Sequence, residues 1–208
     1  MRVETFALGP LETNSYLAIE GRNAVAVDAG GDPAPMLRHI AKHGLTLTHV
    51  LLTHLHFDHT YGAQALHEAT GAPVLAGSGD AYLMDSELGQ GGFMGLPRIK
   101  PFTYTAIEPG DFEVLGQPCT ALFTPGHTAG SLSYYFPQSG VVFAGDVLFF
   151  RNIGRTDFPG GSMETLLDSV KTQIFSLPRE TVVYSGHGPE TSVGEEILHN
   201  PYFSDFAR

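Results

Sequence analysis

The stretch Thr53-His54-Leu55-His56-Phe57-Asp58-His59 decides how this chain is read. It directly follows Thr48-His49-Val50-Leu51-Leu52, a short apolar run that reads as a buried strand. In extended backbone, residues two apart point to the same side. His54 and His56 can therefore reach a single metal ion. Asp58 and His59 follow as the chain turns towards a helix expected over residues 60–70, so they can aim at a second position.

Three later segments repeat the arrangement of a polar donor just after a β-forming run. They are Thr124-Pro125-Gly126-His127-Thr128, Phe143-Ala144-Gly145-Asp146 and Tyr184-Ser185-Gly186-His187-Gly188. A glycine before each donor lets backbone pass close to a cluster without a Cβ clash. All these donors are expected after strands and off helical faces. Five histidines and two aspartates make a set for ions that prefer imidazole and oxygen: Zn first, with Fe or Mn as alternatives. Buried histidines and aspartates without partners are costly, so donors clustered by motif read as a site rather than as scattered core polars. His39, His43, His49, His67 and His199 lie on expected helices or at a strand start and read as structural.

Around these segments, strand and helix signals alternate. Phe6 to Ile19 mixes β-formers about the turn-like Gly9-Pro10, and Ala24 to Asp28 is a buried strand running into Gly30-Gly31. Pro33 to His43 has helical spacing closed by Gly44, and the helix over 60–70 stops at Gly71. Pro73 to Ala76 is strand-like. Ser86 to Lys100, punctuated by Gly89, Gly91, Gly92 and Gly95, reads as an exposed loop; Phe93 and Met94 either form a flap or tuck onto the core. From Phe102 to Ala144 the chain is β-rich. Ser162 to Leu177 is a helix with Ser162 as its N-cap, followed by a strand at Thr181 to Tyr184 and a short helix near Val193 to Leu198.

Composition limits the function classes. With 208 residues and 42% hydrophobic content, the chain can bury one good-sized core, and residues 1–208 are expected to form a single domain. A net charge of −11 repels phosphate backbones and disfavours nucleic acid as a partner. No apolar run approaches the roughly 20 residues of a membrane helix, and no signal peptide is visible. The single cysteine, Cys119, reads as a buried small hydrophobe and fits a cytoplasmic setting. Oligomeric state is not legible, and a monomer fits. Among only 11 lysines plus arginines, Arg151 and Arg155 stand beside a donor loop and are candidates for binding an anionic substrate group.

Thr-His-x-His-x-Asp-His, Pro-Gly-His-Thr, Gly-Asp and Gly-His-Gly, in that order, resemble the metallo-β-lactamase superfamily. The resemblance implies an α/β fold, a four-layer αβ/βα sandwich. It implies two divalent metal ions, one held by His54, His56 and His127 and the other by Asp58, His59 and His187, with Asp146 bridging. Within the superfamily, Thr13-Asn14-Ser15-Tyr16, Gly145 to Phe149 and Ile153-Gly154-Arg155-Thr156-Asp157-Phe158-Pro159-Gly160-Gly161 resemble glyoxalase II, the hydroxyacylglutathione hydrolases. That family implies hydrolysis of a small-molecule thioester, S-lactoylglutathione or a related acyl-thiol, by a metal-bridging hydroxide oriented by Asp58. Arg155 matches its glutathione-contacting basic residue. The chain ends about twenty residues after His187 and resembles the short branch without the C-terminal helical glutathione region; Gly188 and Pro189 stand where an aromatic residue is expected. Persulfide dioxygenases, which use one iron, carry a similar Gly-Arg-Thr-Asp-Phe segment and are the alternative. A lactonase or β-lactamase comes after them. Thr53, Thr128 and Asp28 are expected to orient the histidine rings.

Overall fold

The computed structural model describes residues 1–203. Contacts divide the chain into two compact units, Met1–Ile107 with Val114–Gly116, and Glu108–Glu113 with the chain from Gln117 onwards.

The first unit is built on a six-stranded mixed sheet of β1 (Arg2–Leu8), β2 (Thr13–Glu20), β3 (Asn23–Val27), β4 (Thr46–Leu52), β5 (Val74–Gly77) and β6 (Thr105–Ile107), in that order. β1 to β3 pair antiparallel, and β3 to β6 parallel. Parallel neighbours need crossover connections. Helix α1 (Ala34–His43) supplies the first, ending as expected on Gly44 in the left-handed conformation. The second crossover was expected as one helix over residues 60–70 and is instead two: α2 (Phe57–Thr60) and α3 (Ala63–Thr70). The break at Gly62 has a cause. Its N–H donates to Ala29 O at 2.7 Å, and a Cβ there would meet Gly31 O at 2.6 Å. Met36, Ile40, Ala63 and Leu66 from the helices close over Leu17, Ala24, Ala26, Val50 and Leu52 of the sheet.

The segment from Ser86 is more ordered than a loop. Ser86 Oγ caps a short helix, α4 (Glu87–Gln90), and Gly91 bridges to Arg98. Phe93 turns onto the core, its ring 5.7 Å from that of Phe57, whereas Met94 is 92% exposed.

The second unit carries β7 (Gly110–Val114) except its last residue, β8 (Gln117–Phe123), β9 (Leu132–Phe136), β10 (Val141–Gly145), β11 (Leu148–Phe149), β12 (Asn152–Ile153), β13 (Val182–Ser185) and β14 (Thr191–Ser192), with helices α5 (Met163–Ser169) and α6 (Val193–His199). Its main sheet runs β14-β13-β10-β9-β8-β7, and β11 and β12 form a separate small hairpin. β10 and β13 are parallel, with a bulge that adds Ala144 between Phe143 and Gly145. Ser162 caps α5 by accepting from Thr165 N, but the expected single helix to Leu177 passes into a wider π turn over Val170–Ile174. Leu166, Val170, Ile174, Val193 and Ile197 pack on Val142, Ala144 and Val183. Cys119 is buried, and burial pushes its thiol pKa well above the ordinary range. Among the described residues, no helix is long and apolar enough to cross a membrane.

Candidate metal centre

In the first unit, β3 and β4 run parallel, so Asp28 and Thr53 leave the sheet at the same end. In such sheets ligands collect beyond the carboxyl ends of the strands. Asp28 adopts φ +56°, a left-handed conformation that aspartate tolerates better than most residues. Its carboxylate meets Thr53 and His59 just beyond the strand ends. Oδ1 accepts from Thr53 N and Oδ2 from Thr53 Oγ1, both at 2.8 Å. His59 Nδ1 lies 2.8 Å from Oδ2.

These contacts fix the chemistry of two rings. A carboxylate only accepts, so His59 carries its proton on Nδ1 and presents the lone pair of Nε2. Thr53 Oγ1 has given its hydrogen to Asp28, so it accepts from His54 Nδ1 at 3.1 Å. His54 thus presents Nε2 as well. Both rings are almost fully buried, 1% and 0% exposed.

His56 is extended, at φ −70° and ψ 144°, and ends the irregular stretch as the chain enters α2. Asp58 and His59 lie on that one-turn helix. The expectation that every donor avoids helices is corrected here: His59 N bonds back to His56 O at 2.9 Å, which closes the turn. Donor atoms of His54 and His56, of His54 and His59, and of Asp58 and His59 lie within 4.8 Å of each other. Thr13 Oγ1 donates to Asp58 Oδ2 at 3.3 Å, and buried Asp80 accepts from Leu55 N at 3.2 Å, steadying the backbone between the two motif histidines. A Cβ on Gly30 would meet Asp58 O at 2.4 Å, so this turn is built around glycine.

The second unit holds its own array. His127 leaves the β8 end, and Asp146 and His187 leave the parallel pair β10 and β13. Asp146 Oδ2 lies 3.6 Å from His127 Nε2 and 3.6 Å from His187 Nε2. These separations are too long for hydrogen bonds. They are close to the roughly 3.4 Å between two donors on one tetrahedral ion with metal–donor bonds near 2.1 Å. His127 Nδ1 lies 2.8 Å from the carbonyl oxygen of Arg155. A carbonyl only accepts, so His127 too presents Nε2. The donor set therefore fits divalent ions in element and tautomer.

Of the expected orienting groups, Asp28 and Thr53 act on the rings; Thr128 Oγ1 lies 2.6 Å from Ser131 Oγ. The carbonyl of Arg155 was not expected, because a main-chain oxygen carries no mark in sequence. Arg151 is engaged within its unit. Nη2 pairs with Glu195 Oε2 at 2.7 Å and Nη1 with Glu196 Oε1 at 2.8 Å. The side chain of Arg155 is 54% exposed, doubly bonded to Asp157, with its guanidinium 3.6 Å above the Phe158 ring.

The sequence profile of the metallo-beta-lactamase superfamily matches residues 8–187. A probable metallo-hydrolase, YqgX of Bacillus subtilis, is 37% identical, with all of both chains covered. The hydroxyacylglutathione hydrolase GloC of Haemophilus influenzae is 33% identical, covering 98% of this chain and 99% of its own. Among solved structures, the BLEG-1 B3 metallo-beta-lactamase superposes with a TM-score of 0.91 at 35% identity, covering 98% of this chain and 100% of its own. TTHA1623 in a di-iron-bound form gives 0.85 at 36% identity, covering 96% and 99%.

Proposed function

The chain belongs to the metallo-beta-lactamase superfamily and is a metal-dependent hydrolytic enzyme, and from that premise we propose that it cleaves a thioester, S-lactoylglutathione or a related small acyl-thiol. The observation that carries the metal-dependent part of this reading is the set of ring tautomers: His54, His59 and His127 each keep Nδ1 on a protein acceptor and offer Nε2 to an ion. The superfamily's pattern, carried onto this chain, assigns His54, His56 and His127 to one ion, Asp58, His59 and His187 to a second, and Asp146 to both. Bound divalent ions supply Lewis acidity and bring the pKa of a water near 7.

The protein's own groups then do the rest. Asp58, steadied by Thr13, orients the attacking water. Asp28 and the Arg155 carbonyl hold the rings against rotation. The likeness to GloC favours a thioester, and the exposed Arg155, seated over Phe158 and paired with Asp157, still has Nη1 to offer the thiol carrier. A second reading, opening of a β-lactam ring, has the likeness to the BLEG-1 enzyme behind it. Zn is proposed as the resident ion, and Fe is the alternative that the di-iron form of TTHA1623 favours.

One experiment separates these. Protein purified without chelator is analysed for metal, then assayed on S-lactoylglutathione, other acyl-thiols, a lactone and a β-lactam, with oxygen uptake followed on glutathione persulfide. Two ions per chain and thioester turnover are expected. Oxygen uptake with one iron per chain, or β-lactam turnover without thioester turnover, would replace the proposal.

A further inference from the structure

The hairpin of β11 and β12, together with the residues at its two ends, meets all three donors of the second unit. Asp146 enters it, and Gly154, at its exit, lies so close that an added Cβ would stand 1.7 Å from Asp146 O. Phe149 sets its ring edge-on to His187, with centroids 6.0 Å apart. The next residue after the hairpin's exit glycine, Arg155, supplies the carbonyl that fixes His127. Whatever sets this hairpin sets the three donors together.

Its turn is held from α6. Glu196 is fully buried, and its carboxylate gathers four donors: Arg151 N at 2.9 Å, Arg151 Nη1 at 2.8 Å, Thr191 Oγ1 at 2.6 Å and Asn200 Nδ2 at 2.9 Å. The same Asn200 amide donates to Asn152 O at 3.0 Å. Arg151 sits at φ +57°, a left-handed position unfavourable for a long side chain, where its N–H and its guanidinium can both meet Glu196. A carboxylate this buried is costly unless fully satisfied, and here it is satisfied by the turn it holds.

We propose that Glu196 is a positioning residue for the metal centre, acting through Arg151 to hold the hairpin that aligns His127, Asp146 and His187. Arg151 on this account serves the protein rather than the substrate. The inference rests on the two-ion reading above for its consequence, but not for the latch itself. Loss of the latch loosens the hairpin whether or not an ion is bound, and weakens ion binding as removal of an outer hydrogen-bonding partner does, by about 10–100-fold.

The test uses the full chain as wild type, Glu196→Gln, Arg151→Gly and Glu195→Gln. Glycine accepts the φ of Arg151 without strain, so Arg151→Gly removes the guanidinium arm of the latch while keeping the turn and its backbone N–H bond to Glu196, should Glu196→Gln fail to fold. Glu195→Gln is the control, since Glu195 meets the same guanidinium from the exposed side. Two quantities are read: amide hydrogen exchange over residues 147–155 in metal-free protein, and Zn affinity by chelator competition. Glu196→Gln and Arg151→Gly are expected to exchange at least about 10-fold faster in that segment and to bind their weaker ion about 10–100-fold less tightly. The control is expected to stay within about twofold. Unchanged exchange in Arg151→Gly, or unchanged Zn affinity in a folded latch variant, overturns the proposal. A wild type that binds only one ion overturns the two-ion reading, while exchange and that ion's affinity still decide the latch.

Discussion

His59 Nδ1 and both donors of Thr53 converge on one carboxylate, that of Asp28, each at 2.8 Å. Asp28→Asn keeps a residue at home in the left-handed conformation but can no longer accept from all three. The His59 ring is then free to rotate or change tautomer. Ion affinity, read by chelator competition, is expected to fall about 10–100-fold, with a comparable loss of activity. An affinity equal to wild type would show that Asp28 serves only the strand ends.

Gly154→Ala is expected to be severe. The new Cβ meets backbone, the oxygen of Asp146 at 1.7 Å, and His127 Nδ1 at 3.4 Å. Backbone must move, at a cost of about 1–3 kcal/mol. Thermal unfolding of metal-free protein should show the loss, and the ion content of purified protein should fall with it. Normal stability with normal ion content would contradict the close packing at this glycine.

Phe93 and Met94 are neighbours with opposite expected sensitivities. Phe93 packs on Phe57 and on the core, so Phe93→Ala should lower stability by roughly 1–2 kcal/mol. Met94, 92% exposed, should tolerate alanine within about 0.5 kcal/mol. Denaturant unfolding of the two variants checks the pair, and equal effects would contradict the way Phe93 is seated.

The Arg155 hydrogen bonds hold the Asp157 carboxyl down to about 2. Its folded pKa lies below the unfolded value, so the contact is fully present above about pH 4 and is lost as pH falls towards 2. Any effect of pH on activity between 5 and 8 therefore comes from other groups. Carboxyl NMR of Arg155→Gln should show Asp157 rising towards the ordinary carboxylate range. No rise would mean that another group depresses it.

The strands and the donor segments were legible because each leaves a local signature. Short apolar runs such as Val50 to Leu52 announce buried strands, and His-x-His after such a run announces a site. The second ring of contacts left no such trace. Asp28 lies 31 residues from His59, and only the parallel pairing of β3 and β4 brings them together. Glu196 reads in sequence like any solvent-facing helix glutamate, although it is fully buried. The hairpin of β11 and β12 leaves no pattern in the sequence because strands of two residues show no alternation. The helix expected over 60–70 breaks at Gly62, whose N–H turns to Ala29 O, a tertiary contact that the glycine alone does not announce.

The bulge at Ala144 places one extra residue in β10 just before Asp146. β10 ends at Gly145, whose φ of +51° turns the chain out of the sheet, so the extra residue sets where that turn begins. A deletion that restored a regular ladder would start the turn one residue away and shift Asp146 relative to His127 and His187. Among descendants of this chain, loops can lengthen and shorten freely, but an insertion or deletion between Phe143 and Asp146 changes the protein's chemistry before it changes its fold.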